Sequence, residues 1–223
     1  MADHPVLYAS RIKVLDGIFA DASASSYEKF LEIQEAINGA DDNPEDLMRL
    51  ERDALTAGVQ AIVMSAMCFE AAIYNYAATQ LGDGYVRKHL DRLGVIAKWV
   101  VIPRIVCGRE VRKDQIAFAT FREVISERNR LVHWKSEDMP LGDAAQVERI
   151  LEKLEKENSR LEANVHKSFR AIVLMSLEMD TILEPWFNPL PSFDRERTHP
   201  WDYSPCIDEI INECRQDFRG GSA

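Results

Sequence analysis

The sequence predicts an all-α protein, a helical bundle with one long arm helix towards its C-terminal end. Three observations carry this. Apolar residues recur at three- and four-residue spacing along most of the 223 residues, while alternating strand patterns are almost absent. Ten glycines and nine prolines are fewer than average usage would supply, roughly 12% for the two together. Hydrophobic residues at 46% and charged residues at 29% describe a globular chain, long enough to bury a core without staples.

The elements follow in order. Leu7 to Phe19 is a first helical segment and Ser26 to Ile37 a second one of mixed polarity. Asp41-Asp42-Asn43-Pro44-Glu45-Asp46 is a helix start, with Asn43 as N-cap, Pro44 at the first helical position and acids in the first turn. That helix reaches Thr79 or Gln80, before Leu81-Gly82-Asp83-Gly84, with Gly58 as a point where it could divide. Its most apolar window, Ala57 to Ala78, contains Gln60, Glu70 and Asn75 and reads as a buried core helix, not a membrane span. Tyr85 to Ile102 is the next helix, stopped by Pro103 and followed by a loop at Cys107-Gly108. Residues 114 to 134 form another, with Phe118, Phe121, Val124, Ile125, Leu131 and Val132 as its apolar stripe.

Asp143 with Gln146 makes a capping box for a helix of about 41 residues, near 60 Å long. Its apolar positions alternate by four and three: Val147, Leu151, Leu154, Asn158, Leu161, Val165, Ser168, Ile172, Met175, Met179 and Ile182. This is a heptad seam with one asparagine at an a-type position, which fixes register in paired helices. It serves equally a dimerisation helix and an arm of an intramolecular bundle. Pro185 to Pro205 holds five prolines and five aromatics (Trp186, Phe187, Phe193, Trp201, Tyr203) and is expected to be extended, its aromatics packed on the body or a partner subunit. Ser204 and Pro205 then cap an amphipathic helix with Ile207, Ile210, Ile211, Cys214 and Phe218. The expected organisation is an N-terminal helical segment (1–43), a helical bundle (44–184) and a Pro/aromatic-rich extension with a short helix (185–223).

The net charge of −10 argues against an indiscriminate nucleic-acid coat protein. Cys68, Cys107, Cys206 and Cys214 form no CxxC pair and read as free thiols of a reducing cytosol. A zinc site from His199, Cys206 and Cys214 has no common ligand spacing. The start, Met-Ala-Asp-His-Pro, has no basic region followed by an apolar stretch, so a cytoplasmic protein without membrane attachment is expected.

Chemistry concentrates in Glu127-Arg128-Asn129-Arg130-Leu131-Val132-His133-Trp134. Arg128 falls on the apolar stripe, with Val124 and Ile125 before it and Leu131 and Val132 after it. A guanidinium there keeps its charge and needs an anion. Asn129 and His133, four apart, share a face, while Arg128 and His133 differ by about 140° around the helix and address one cleft from its edge. Two such helices across a two-fold axis would place two arginines and two histidines around one groove. An imidazole that moves a proton and a guanidinium that steadies a phosphoryl group suit cleavage of RNA by its own 2′-hydroxyl. No metal-ligand set stands nearby in the sequence, so a metal-independent mechanism without a cofactor is expected.

Arg128-Asn129-Arg130-Leu131-Val132-His133 resembles the Rx4–6H motif of the HEPN superfamily. The surroundings are similar too, from an upstream helix with Phe69-Glu70-Ala71 and Asn75 to Lys98-Trp99-Val100-Val101-Ile102-Pro103. The resemblance covers roughly residues 45 to 184. It implies a HEPN-like helical bundle, a homodimer, and an endoribonuclease of prokaryotic defence or toxin–antitoxin type with a composite site. By that resemblance Arg128 would bind the phosphate, His133 would be the general acid/base and Asn129 would orient Arg128, with Glu70 and Arg130 in support. RNA and an antitoxin or defence-system protein would be the partners. A toxin subgroup carries tyrosine two residues after the histidine, as the target of antitoxin modification. Lys135 stands there, which puts that regulation in doubt.

Other roles remain open for these residues. Arg128 fits a structural ion pair with Glu70, and His133 and Lys135 suit the negative end of a helix dipole. His89, His166 and the Glu-Lys run from Glu148 to Glu162 read as solvated surface. Residues 83 to 135 carry a net +6, leaving −16 for the rest. That stretch would form a phosphate-binding groove or neutralise the acidic helices internally. The runner-up reading is a non-catalytic helical module that binds RNA, a nucleotide or a protein; a third is a structural dimerisation subunit.

Overall fold

The computed structural model describes residues 14–39, 43–133, 144–183, 188–193 and 203–220. Among them there are helices and no strand: α1 (Asp16–Asn38), α2 (Pro44–Leu81), α3 (Asp83–Tyr85), α4 (Val95–Cys107), α5 (Ile116–Val132), α6 (Ala144–Ile182) and α7 (Pro205–Gly220). The expected all-α bundle is what forms. The Asp143–Gln146 capping box, Lys135, His199, Trp186, Phe187 and Trp201 lie outside the described residues, as do Leu7 to Lys13.

The central helix is α2. Asn43 caps it, accepting the Glu45 N–H on its side-chain oxygen at 3.3 Å, with Pro44 next in line as expected. It ends at Gly82, whose φ of +83° reverses the chain without the Cβ clash another residue would bring. By length and composition α2 could cross a membrane, yet 56% of its apolar window is buried inside the bundle. Gly58 does not divide it. A Cβ there would meet Val165 Cγ2 at 2.6 Å, so the missing side chain lets α2 and α6 approach closely.

The expected pair of N-terminal segments is instead one continuous helix, α1. The stretch between the two expected segments serves as packing surface. Buried Ser23 donates to the Ala61 carbonyl at 3.2 Å and meets Ser65 Oγ at 2.6 Å, and small neighbours Ala20 and Ala24 let α1 lie along α2. The Asn75 amide bonds Asp16 at 3.0 Å near the other end, so the two run antiparallel.

The helix expected over Tyr85–Ile102 is also redrawn. After α3 the chain makes a π-helical turn, Val86–Leu90, and breaks before Gly94, while Pro103 sits inside α4 instead of ending it. Pro103, Trp99 and Ile102 are all buried, and that apolar packing outweighs the hydrogen bond the proline cannot make. The Trp99 indole N–H donates to the Phe69 carbonyl at 3.1 Å, and Phe69, Trp99 and Phe121 meet edge to face.

Helix α6 runs antiparallel to α5, with Lys167 on Glu123, and Arg112 on Glu178 at 2.6 Å further along. The seam divides in its use. Its C-terminal half, Leu161 to Ile182, is buried in the bundle, whereas Leu151 and Leu154 are exposed. Helix α7 packs beside it through Arg170, which pairs with Glu213 and Asp217. Phe193 and Tyr203 pack on Phe169, as expected of the extension's aromatics. Described residues on both sides of the boundaries expected near 43 and 185 join one core.

Candidate functional site

Helix α5 explains the placement of the motif. Its inward face carries Ala117, Phe118, Phe121, Val124 and Ile125, all buried. One turn on, the fully buried position belongs to Glu127, while Arg128 lies at the edge of the stripe with 21% of its side chain exposed. Arg128 reaches sideways to α2, where Nη2 donates to Glu70 Oε2 at 2.9 Å. Its Nη1 donates to Asn129 Oδ1 at 3.1 Å. Glu70, Arg128 and Asn129 thus form one cluster, and the guanidinium is fixed in place. Five N–H donors exceed those two bonds and leave capacity for an anion. Glu70 is 44% exposed, so its carboxylate is not locked in the core.

His133 stands at the C-terminal end of α5, exposed, with its backbone N–H on the Asn129 carbonyl at 3.1 Å. Its ring has no protein partner among the described residues. Val132 beside it is 60% exposed. The motif therefore presents a half-buried, oriented guanidinium and, five residues later, an open imidazole at a helix terminus.

Arg130 is not brought to that cluster. It donates to Glu127 Oε1 from Nη2 at 2.5 Å and from Nε at 3.0 Å. Arg160 Nε lies 3.2 Å from the other oxygen of Glu127, and the Asn164 amide 3.4 Å from it. A carboxylate with no exposure thus gathers two arginines and an amide between α5 and α6. The sequence reading missed Glu127. The available signal was its spacing, three after Val124 and four before Leu131, which places it on the same stripe as Arg128.

Other singled-out residues are accounted for. His166 meets Tyr27 Oη at 3.1 Å through Nδ1, and His89 lies against Tyr85. Among the described residues no group of three or more His, Cys, Asp or Glu is arranged to hold a metal ion. Cys214 is buried, which pushes its thiol up to about 12, and Cys206 is exposed.

The positive stretch is partly spent on internal pairs. Lys98, Arg104, Arg112, Arg128 and Arg130 each hold a carboxylate. Arg87, Lys88, Arg92, Lys113 and Arg122 are exposed and pair with no carboxylate among the described residues.

Fold and site together define an all-α bundle with an arginine–carboxylate–amide cluster on the helix that a histidine terminates. Compared with protein-family models, curated proteins and solved structures, the chain matches none of them.

Proposed function

We propose that the chain is a metal-independent endoribonuclease of HEPN type, a cytoplasmic protein of a prokaryotic defence or toxin–antitoxin system. The observation that supports it is the orientation of Arg128 by Glu70 and Asn129, with His133 exposed five residues on at the end of the same helix. In this reading Arg128 exchanges Glu70 for the scissile phosphate and stabilises charge as phosphorus becomes pentavalent. The neighbouring 2′-hydroxyl attacks phosphorus and the 5′-oxygen leaves, giving a cyclic phosphate and a 5′-hydroxyl. His133 moves a proton from the attacking oxygen or to the leaving one. A second protomer joined near Val132, an exposed apolar residue beside the motif, would supply its own Arg128 and His133 to the same cleft. Purified protein with single-stranded RNA in EDTA tests this. Cleavage by the wild type, lost in both Arg128→Ala and His133→Ala, is the expected outcome. Cleavage that persists in either variant overturns the roles.

A second reading keeps the oriented guanidinium of Arg128 as a phosphate contact and gives the exposed His133 no role. A non-catalytic helical module would bind RNA without cutting it. Arg128→Ala would then weaken binding while His133→Ala left it nearly unchanged.

A further inference from the structure

The exposed half of the α6 seam continues into a groove. Leu151 is 58% exposed and Leu154 43%, and one turn on Asn158 and Leu161 enter a cavity of about 530 Å³ between α6, the end of α1 and the start of α2. Phe30, Ile37, Met48 and Leu55 supply its apolar lining, with Met48 70% exposed. Leu151, Leu154, Asn158 and Leu161 keep the four-and-three spacing of the buried half, so stripe and groove make one face about 15 Å long. An apolar face of this regularity is the surface a further helix would cover.

Charge selects the occupant. Glu148, Glu155, Glu157 and Glu162 flank the seam on α6, and Glu51 joins them from α2. The three walls, residues 28–37, 44–55 and 147–162, hold twelve acids and seven bases. Two pairs inside the walls, Arg49 with Asp46 and Arg52 with Asp53, cancel one for one, while Arg160 is drawn off to Glu127. A second copy paired along this seam would set glutamate beside glutamate at the flanks, which opposes pairing. We propose that this face receives a basic amphipathic helix of a different protein. Its apolar side chains pack on Leu151 and Leu154 and enter the groove, its Lys and Arg residues meet the flanking glutamates, and the Asn158 amide sets the register. The proposal does not rest on the ribonuclease reading, whose residues lie on α5 and α2.

Two designed helical peptides of about three heptads test it, with Leu at a and d and either Lys or Glu at e and g. Fluorescence anisotropy with the full chain should show the Lys peptide binding at least about tenfold tighter than the Glu peptide, and weakening with salt. Leu151→Ser with Leu154→Ser, exposed positions that leave the fold intact by circular dichroism, should abolish that binding. Glu155→Lys with Glu162→Lys should reverse the preference between the peptides. Equal binding of both peptides, no binding of the Lys peptide, or binding indifferent to the serine substitutions overturns the proposal. So does a concentration-dependent dimer that Leu154→Ser dissolves, which would give the face to a second copy.

Discussion

Replacing Glu127 by alanine removes the acceptor that Arg130 and Arg160 share. The carboxylate has no exposure and holds Arg130 at 2.5 Å and Arg160 at 3.2 Å. Breaking a buried ion pair by deleting one partner costs about 3–5 kcal/mol, because the remaining charge keeps its desolvation and loses the carboxylate that offset it. Arg160 is 55% exposed and returns to water, whereas Arg130, at 22%, regains only part of its hydration. The expected cost therefore sits at the low end, about 3 kcal/mol. For a chain of this length each kcal/mol moves Tm by about 2–4 °C, which gives a fall of about 6–12 °C in a circular-dichroism melt. Arg49→Ala is the control: its pair with Asp46 has both side chains more than half exposed and should cost under about 0.5 kcal/mol. A Glu127→Ala melt no lower than that of Arg49→Ala would refute the reasoning, since the cluster would then behave as solvated surface charges.

Further outcomes follow from the same structure. Gly58→Ala should lower stability by about 1–3 kcal/mol in urea unfolding, although alanine favours helix by about 1 kcal/mol, because its Cβ would press on the branched side chain of Val165. Burial pushes the phenols of Tyr27 and Tyr76 up to about 12 from 10, so the native state keeps protons that the unfolded chain releases first. That stability is complete below about pH 10 and lost as pH rises through about 12. Tyrosinate absorbance should therefore appear together with alkaline unfolding, and Tyr76→Phe should move the midpoint to higher pH. Arg130→Met should lower Tm yet leave RNA cleavage at wild-type rates below its melt, while Asn129→Ala should reduce cleavage with little change in Tm. Equal loss of cleavage in the two variants would contradict the separation of Arg130 from the Glu70–Arg128–Asn129 cluster.

Local chemistry made much of this legible in the sequence. The Asn43-Pro44 start, the α5 stripe and the α6 seam depend on spacing and caps, which act within a few residues. Long-range packing was not legible. Ser23 falls between two expected segments until Ser65 and the Ala61 carbonyl show it on a packed face, and Pro103 reads as a stop until its ring is buried. In the site, the spacing placed Arg128 on the apolar stripe and weighed Glu70 as its acid. It could not tell which of the adjacent Glu127 and Arg128 turns fully inward, since a rotation of one position separates them. Arg160 and Asn164, more than 30 residues away, settle that by meeting Glu127. Nor could periodicity say how much of the α6 seam the bundle would cover.

The chemistry of the cleavage products tests the central proposal most directly. Single-stranded RNA incubated with the purified chain should yield fragments ending in a 2′,3′-cyclic phosphate and starting with a 5′-hydroxyl, and a 2′-deoxy substitution at the scissile nucleotide should block the cut. Fragments ending in a 3′-hydroxyl, cleavage that tolerates the 2′-deoxy nucleotide, or RNA left intact by the wild type would contradict it.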